Sequence, residues 1–164
     1  MTNSHVYTKP YKCVDNEFTT TYVNMYPDVI EQIPFDKLGF RIPTKSVTVV
    51  VTEGCNMACH YCYEIGKSKT RMTKDRAKQI VDFLFEQDAN NSELLNQDNA
   101  YALIIDFIGG EPLLEIDLID YFMRYFRKRA IELKHRWAIH YMISITSNGI
   151  LFETPKVQDF IKKN

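Results

Sequence analysis

The 164-residue sequence has almost no net charge, few cysteines and no long hydrophobic run, and each absence excludes a class of protein. Its 20 lysines and arginines nearly balance 21 aspartates and glutamates, so no overall field attracts nucleic acid or an anionic membrane. No run approaches the roughly 18 apolar residues of a membrane helix, and residues 1–5 lack the basic and apolar regions of a signal peptide. A cytosolic globular protein is therefore expected, and its length favours one domain.

The four cysteines are unevenly distributed, because Cys13 stands alone whereas Cys55, Cys59 and Cys62 fall within eight residues. A disulfide scaffold spreads its cysteines through a shorter chain, so the clustering indicates a reducing compartment and metal-binding thiolates. Three thiolates are one short of a closed tetrahedral zinc site, and on a four-iron cluster they would leave one iron open. Cys13 is expected to stay free or to pack as a small apolar residue.

Three strand–helix pairs are predicted after residue 45. Apolar runs at residues 47–51, 102–108 and 139–146 are typical of buried strands. Each is followed by an amphipathic helical pattern, and these begin near Thr73, Ile116 and Thr154. The alternation predicts an α/β fold with right-handed crossovers and a parallel sheet. Residues 1–45 form an irregular lead-in, with a short strand or hairpin near residues 19–26.

Three parallel strands have two open edges and an incompletely covered core. The last predicted helix also lacks a stop signal before Asn164. We therefore expect the chain to be truncated, with residues 46–164 forming the N-terminal half of a larger, barrel-like core. A dimer that completes the sheet is the alternative explanation.

Each predicted strand ends in a loop of unusual composition. Residues 53–62 contain the three clustered cysteines, Gly109-Gly110-Glu111-Pro112 follows the second strand, and Ser147-Asn148-Gly149 follows the third. Parallel α/β folds build their sites at the carboxyl edge of the sheet, so the three loops are expected to meet there. Taken alone, each of the last two segments is also compatible with an ordinary turn.

The spacing Cys55-x3-Cys59-x-Tyr61-Cys62 resembles the cluster loop of the radical S-adenosylmethionine (SAM) enzymes. The segments after the second and third strands resemble the Gly-Gly-Glu-Pro motif and the Thr/Ser-Asn-Gly turn of the same family. The resemblance covers about residues 46–164 and implies about three βα units of that family's partial (β/α) barrel. It also implies a 4Fe–4S cluster on Cys55, Cys59 and Cys62. SAM would bind the fourth iron and be reductively cleaved to a 5′-deoxyadenosyl radical that abstracts hydrogen.

The resemblance further assigns residues to the binding of SAM. Glu111 would accept a hydrogen bond from the amino group of SAM, which a carboxylate does better than a neutral acceptor. Tyr61 would lie flat against the adenine. Ser147 and Asn148 would form hydrogen bonds with polar groups of the cofactor.

The remaining cofactor-binding residues would shape the backbone around SAM. Gly109 and Gly110 would let the chain approach the cofactor at a point where a Cβ atom would clash. Pro112 would fix φ as the chain turns toward its helix. The sequence identifies no catalytic residue that acts on the substrate, because the part of the family's core that faces the substrate is not represented.

The partners implied by the resemblance are SAM, an electron donor such as ferredoxin or flavodoxin, and a substrate. The run from Cys59 to Glu64, together with Gly-Gly-Glu-Pro, resembles family members that modify peptides and proteins. A peptide or protein substrate is therefore expected. No nucleic acid or membrane partner is expected, because the charge and hydropathy patterns favour neither.

Two alternatives stay open. A zinc-stabilised interaction module would need a fourth ligand, which His5 or Cys13 would supply, since His60 lies too close in sequence to Cys59 and Cys62. A truncated fragment that keeps the cluster loop without completing catalysis is the second alternative. The histidines of the strand–helix region, His60, His135 and His140, are expected at the surface or hydrogen-bonded in the core.

Overall fold

The computed structural model describes residues 43–62 and 68–164 of the chain. Within these ranges strands and helices alternate as predicted, with the bounds β1 (Thr44–Thr52), α1 (Lys74–Ala89), β2 (Ala102–Gly109), α2 (Ile116–Glu132), β3 (Tyr141–Ile145) and α3 (Pro155–Lys163). Two short 3-10 helices, Pro112–Glu115 and Arg136–Ala138, precede α2 and β3. The strand expected near residues 19–26, together with His5, Cys13, Tyr63 and Glu64, lies outside the described residues.

The three strands form one parallel sheet in the order β1-β2-β3. Val47 pairs with Ile105, and Ile105 pairs with Ile143 on its other side. This register brings the carboxyl ends of all three strands to the same edge. The predicted parallel α/β arrangement is confirmed. Closure into a partial barrel stays a prediction, because the described strands form an open sheet.

One face of the sheet is buried beneath the helices. Side chains alternate between the two faces along a strand, and on β2 the side chains of Leu103, Ile105 and Phe107 have no exposed surface. On α2, Ile119 and Phe122 are equally buried, at the helical spacing that the sequence predicts. Burying one such side chain contributes roughly 1.5–3 kcal/mol, so this layer fixes the strands that support the loops.

The starts of α1 and α3 are the ones expected from the sequence. The hydroxyl of Thr73 accepts a hydrogen bond from the backbone N–H of Arg76 at 3.2 Å and caps α1. Thr154 precedes α3, and Pro155 is its first residue, where a missing N–H costs nothing. None of the helices in residues 43–62 and 68–164 is long and apolar enough to cross a membrane.

A charged cluster joins the end of α1 to the segment before β3. Arg136 donates hydrogen bonds to both carboxylate oxygens of Asp88, and His135 contacts one of them at 2.8 Å. Arg136 and the indole of Trp137 also donate to the carbonyl of Ala100. Burial alone would raise the pKa of Asp88, but the hydrogen bonds with His135 and Arg136 lower it to about 2.

The three histidines have different surroundings. His60 is exposed and His135 is hydrogen-bonded in the core, as expected. The expectation is wrong for His140, which is buried although neither ring nitrogen has a hydrogen-bond partner in the described part of the chain. Its ring packs on Tyr101 instead, with centroids 5.1 Å apart. Burial, and then the charge of Arg136, lower the pKa of His140 to about 4.

We expect the free energy of unfolding to fall in two steps on acidification. The folded-state pKa of His140 lies below its usual 6.5, so protonation favours the unfolded chain as the pH falls from 6.5 toward about 4. The pKa of Asp88 lies below its usual 3.8, so its stabilisation is lost as the pH falls from there toward about 2. Urea unfolding at each pH measures both steps. Burial also lowers the pKa of His135, so His135 contributes to the same step. His140→Phe should therefore reduce the first step and leave the second unchanged, and an undiminished first step would contradict this assignment.

Candidate functional site

Three loops, one after each strand, lie together at the carboxyl edge of the sheet. They are loop 1 (residues 53–62), loop 2 (residues 110–111) and loop 3 (residues 146–149). The backbone N–H of Glu111 donates to the carbonyl of Gly54 at 2.9 Å, which joins loop 2 to loop 1. The backbone N–H of Asn148 donates to the carboxylate of Glu111 at 2.8 Å, which joins loop 3 to loop 2. The structure therefore brings together the three loops that the sequence singles out.

The three clustered cysteines lie on loop 1 as free, partly exposed thiols. The backbone N–H of Cys62 donates to the carbonyl of Cys59 at 3.2 Å, so a tight turn holds these two residues. Within residues 43–62 and 68–164, no three Cys, His, Asp or Glu side chains converge on a point where one metal ion would sit. The role of Cys55, Cys59 and Cys62 as iron ligands therefore stays a prediction.

The chemistry of this donor set fits an iron–sulfur cluster. Cysteine thiolates are the usual ligands of 4Fe–4S clusters, and Cys55, Cys59 and Cys62 are neither paired in disulfides nor fully buried. The backbone N–H of Met57 points to the sulfur of Cys55 at 3.4 Å, a contact that suits an anionic sulfur. The residues present are thus compatible with the group that the resemblance implies.

Gly109 and Gly110 are required by a close approach of the backbone at the ends of β1 and β2 and in the loops that follow them. A Cβ atom on Gly109 would lie 2.2 Å from the carbonyl oxygen of Thr52, and one on Gly110 would lie 2.5 Å from that of Glu53. Cβ atoms in folded proteins essentially never come within 3.0 Å of such atoms. Packing of backbone on backbone therefore explains both glycines, and their predicted proximity to a cofactor stays a prediction.

Glu111 has no exposed surface and ties loop 2 to loop 3. Its Oε1 accepts hydrogen bonds from the backbone N–H of Leu113 at 2.9 Å and from the hydroxyl of Ser147 at 2.8 Å. Its Oε2 accepts from the backbone N–H of Asn148 at 2.8 Å. A carboxylate has about four acceptor positions, so one position, on Oε2, is unfilled within the described residues.

Ser147 folds loop 3 onto loop 2. Its hydroxyl donates to Glu111 and accepts from the backbone N–H of Gly149 at 2.9 Å. Gly149 has a φ of 79°, a left-handed conformation that glycine adopts without strain. The hydroxyl of Ser147 is thus used within the chain, and its predicted hydrogen bond to the cofactor stays a prediction.

The side chain of Asn148 reaches across to loop 1. Its Oδ1 accepts from the backbone N–H of Ile150 at 3.0 Å, and its Nδ2 donates to Oδ1 of Asn56 at 2.8 Å. The same Nδ2 lies 3.9 Å from the sulfur of Cys55. A polar residue that the sequence assigns to the cofactor is therefore also a direct contact between loop 3 and the cysteine loop.

Tyr61 and Pro112 occupy opposite environments. The side chain of Tyr61 is 90% exposed, so its ring is accessible, and its predicted contact with adenine stays a prediction. Pro112 is buried and opens the short helix Pro112–Glu115, where its restricted φ suits the first position. The turn expected at Pro112 is confirmed. The contribution of Pro112 to cofactor binding stays a prediction.

Two residues of this region, Thr52 at the end of β1 and Asn56 in loop 1, were not identified from the sequence. Thr52 is buried, and its hydroxyl accepts from the backbone N–H of Gly54 at 3.0 Å and donates to the carbonyl of Thr70 at 3.2 Å. Asn56 accepts the hydrogen bond from Asn148. The polarity of Thr52 at the end of an otherwise apolar strand was the available signal, whereas nothing in the local sequence marks Asn56.

Asp106 was also missed, although it interrupts the apolar run of β2. It pairs in register with Thr48 and Ser144, on the sheet face opposite the helices. One carboxylate oxygen is buried and has no hydrogen-bond partner among residues 43–62 and 68–164. A charged residue within a buried strand is the signal that identifies such a position.

Comparison with known proteins matches the whole region that carries these loops. A family model described as a 4Fe-4S single cluster domain matches residues 39–158. A radical SAM cyclopropyl synthase, TigE, of Paramaledivibacter caminithermalis is 31% identical over 134 residues, which cover 73% of this chain and 25% of the relative. The match therefore extends well beyond the cysteine motif.

Two proteins of Methanocaldococcus jannaschii are also similar. An uncharacterized protein is 37% identical over 81 residues, covering 49% of this chain and 24% of the relative. A putative glycyl-radical enzyme activating enzyme is 30% identical over 95 residues, covering 56% of this chain and 33% of the relative. The chain thus spans about a quarter to a third of the length of the curated relatives it matches.

Proposed function

The chain is an iron–sulfur member of the radical SAM superfamily, and on that basis we propose that it is part of an enzyme that cleaves SAM. Cys55, Cys59 and Cys62 would hold a 4Fe–4S cluster. When bound, the cluster supplies the electron that splits SAM into methionine and a 5′-deoxyadenosyl radical, which removes hydrogen from a substrate. The protein itself binds and orients the reacting groups.

The junction of the three loops is the observation that carries this proposal. Loop 1, which carries the three free thiols, is hydrogen-bonded to the backbone of the buried Glu111 in loop 2. In loop 3, the side-chain nitrogen of Asn148 lies 3.9 Å from the sulfur of Cys55. The chain offers three thiolates to four irons, which leaves one iron for the amino and carboxylate groups of SAM. The hydrogen bonds between loops hold these groups together at one edge of the sheet. Glu111 has no exposed surface, so SAM would reach its carboxylate only when the covering residues shift locally.

Glu111 is proposed to bind the amino group of SAM through Oε2. That oxygen accepts one hydrogen bond from the chain, whereas Oε1 accepts two, so the unfilled acceptor position lies on Oε2. A hydrogen bond between a carboxylate and a cationic amino group is roughly twice as strong as one between neutral groups. Tyr61, with its accessible ring, is proposed to contact the adenine.

Glu111→Gln is expected to weaken SAM binding about tenfold while the cluster stays in place. The substitution keeps the shape of the side chain but removes its charge and one acceptor oxygen. Losing a hydrogen bond to a charged group costs about 1.5 kcal/mol, which corresponds to about one order of magnitude in affinity. Equilibrium dialysis of SAM against the anaerobically reconstituted full-length protein measures the affinity, and iron analysis of the same samples measures the cluster.

Glu115→Gln is the matched control for this substitution. Glu115 ends the short helix that follows Glu111, and its carboxylate lies 3.1 Å from Arg71. Among residues 43–62 and 68–164, no hydrogen bond or ion pair joins its side chain to loop 1 or loop 3. Its variant should bind SAM like the wild type. Unchanged affinity in Glu111→Gln would contradict the assigned role, and loss of iron from that variant would show that Glu111 acts through the loops instead.

We further propose that the substrate is a peptide or protein and that the electron donor is a ferredoxin or flavodoxin. The run from Cys59 to Glu64 supports the first proposal through its resemblance to peptide-modifying members, and exposed Met57, Ile150 and Phe152 offer apolar surface for peptide side chains. The proposal that the substrate is a peptide or protein is tested by adding perdeuterated peptide fractions, and separately perdeuterated small-molecule fractions, to the reconstituted enzyme. Deuterium should enter 5′-deoxyadenosine from the peptide fraction, and entry from the small-molecule fraction alone would contradict the proposal.

A further inference from the structure

The sulfur atom of Cys55 differs from those of the other two clustered cysteines in its neighbours. The backbone N–H of Met57 lies 3.4 Å from this sulfur, and the side-chain amide nitrogen of Asn148 lies 3.9 Å from it. Within residues 43–62 and 68–164, the sulfurs of Cys59 and Cys62 have no such N–H neighbour. Two N–H dipoles therefore point their positive ends at one of the three sulfurs. The side-chain oxygen of Asn56 lies 4.0 Å from the same sulfur, so Asn56 opposes their effect.

The orientation of the Asn148 amide follows from its other contacts. An amide has two N–H donors on one side and an acceptor oxygen on the other. The backbone N–H of Ile150 requires an acceptor and lies 3.0 Å from Oδ1, so the oxygen faces its own loop. The NH₂ group then faces loop 1, where one hydrogen is donated to Asn56 and the second is available to Cys55.

The backbone of Asn148 is equally constrained. Its N–H donates to Oε2 of Glu111 at 2.8 Å, and Glu111 has no exposed surface. Ser147, the preceding residue, donates to the other oxygen of the same carboxylate at 2.8 Å. The backbone of Asn148 is therefore held in place, and this fixes the position from which its NH₂ group faces the sulfur.

We propose that Asn148 is a positioning residue for the cluster, donating an N–H···S hydrogen bond to the thiolate of Cys55 and raising the reduction potential. This inference rests on the proposed function, because it requires Cys55 to be an iron ligand. Hydrogen bonds to the sulfurs are among the factors that set cluster potentials. Reduction adds negative charge, and an N–H donor stabilises the more negative state better. Removal of the donor makes the cluster harder to reduce.

The test is a redox titration of the anaerobically reconstituted full-length protein, monitored by electron paramagnetic resonance. Asn148→Ala removes the donor, and Asn148→Asp removes it, keeps the acceptor for Ile150, and adds a negative charge. Both variants should keep the iron content of the wild type. The potential of Asn148→Ala should be more negative than that of the wild type, and that of Asn148→Asp more negative still.

Asn56→Ala is the matched control, because it removes the competing acceptor at 2.8 Å and leaves the amide of Asn148 beside Cys55. Its potential should equal that of the wild type or lie above it. A wild-type potential in Asn148→Ala would overturn the inference while leaving the proposed function intact. Failure of the wild type itself to assemble a cluster would overturn both. If Asn148→Ala does not fold, the uncharged and similarly sized Asn148→Leu decides, since it also removes the N–H donor without adding a charge.

Discussion

Replacing Cys59 by alanine is expected to abolish assembly of the 4Fe–4S cluster while leaving the fold intact. Alanine removes one of three thiolates, and the remaining two leave half of the irons without a protein ligand. The thiol of Cys59 is partly exposed and has no hydrogen bond among the described residues. Its removal therefore leaves the packing of strands and helices unchanged, and the effect on iron binding is separable from the effect on stability.

Iron and sulfide contents after anaerobic reconstitution measure this loss, and urea unfolding of the metal-free protein measures the stability. Both contents should fall to background in Cys59→Ala, with an unchanged unfolding midpoint. Cys13→Ala is the control, because the sequence separates Cys13 from the clustered cysteines. It should retain full iron and sulfide. A complete cluster in Cys59→Ala would contradict the assignment of the ligands.

Gly110→Ala is expected to lower the free energy of unfolding by about 3 kcal/mol, at the upper end of typical overpacking costs. The added Cβ would lie 2.5 Å from the carbonyl oxygen of Glu53 and 2.6 Å from that of Gly54. These are backbone atoms, so no side chain can rotate away to relieve the clash. Separation of the two loops would also break the hydrogen bond from Glu111 to Gly54.

Gly149→Ala is the control for the loss of a glycine from the site. A Cβ on Gly149 would meet no atom within 4 Å, so only its positive φ opposes the change. A left-handed conformation costs an L-residue about 1–2 kcal/mol. Urea unfolding should therefore rank Gly110→Ala as more destabilising than Gly149→Ala. Equal losses of stability would contradict a steric origin for Gly110.

The elements were predictable because local periodicity encodes them. The β-branched run at residues 47–51 predicts the strand, but burial of both its faces is wrong, since Val49 and Val51 are buried whereas Val50 is 50% exposed. The spacing of Ile119, Phe122 and Phe126 predicts the buried face of α2. The parallel direction of the strands followed from the alternation of strands and helices. The position of the site followed from the same alternation, since each loop of unusual composition comes directly after a strand.

The contacts inside the site were not predictable, because they join residues far apart in sequence. Glu111 and Ser147 are separated by 36 positions, and Asn56 and Asn148 by 92. No local pattern indicates that the carboxylate of Glu111 accepts three hydrogen bonds from its own chain. For the same reason the sequence did not show that the carbonyls of loop 1 require a glycine at position 110. The cofactor contact that the resemblance implies for Gly110 stays a prediction.

The most direct test of the proposed site is the electron paramagnetic resonance spectrum of the reduced, anaerobically reconstituted full-length protein with and without SAM. A 4Fe–4S signal should appear, should change when SAM is added, and should be absent when Cys55, Cys59 and Cys62 are all replaced by alanine. A signal that does not change when SAM is added would contradict the claim that one iron is free to bind SAM. A protein that binds zinc and contains no sulfide would contradict the cluster itself and favour a zinc-stabilised module.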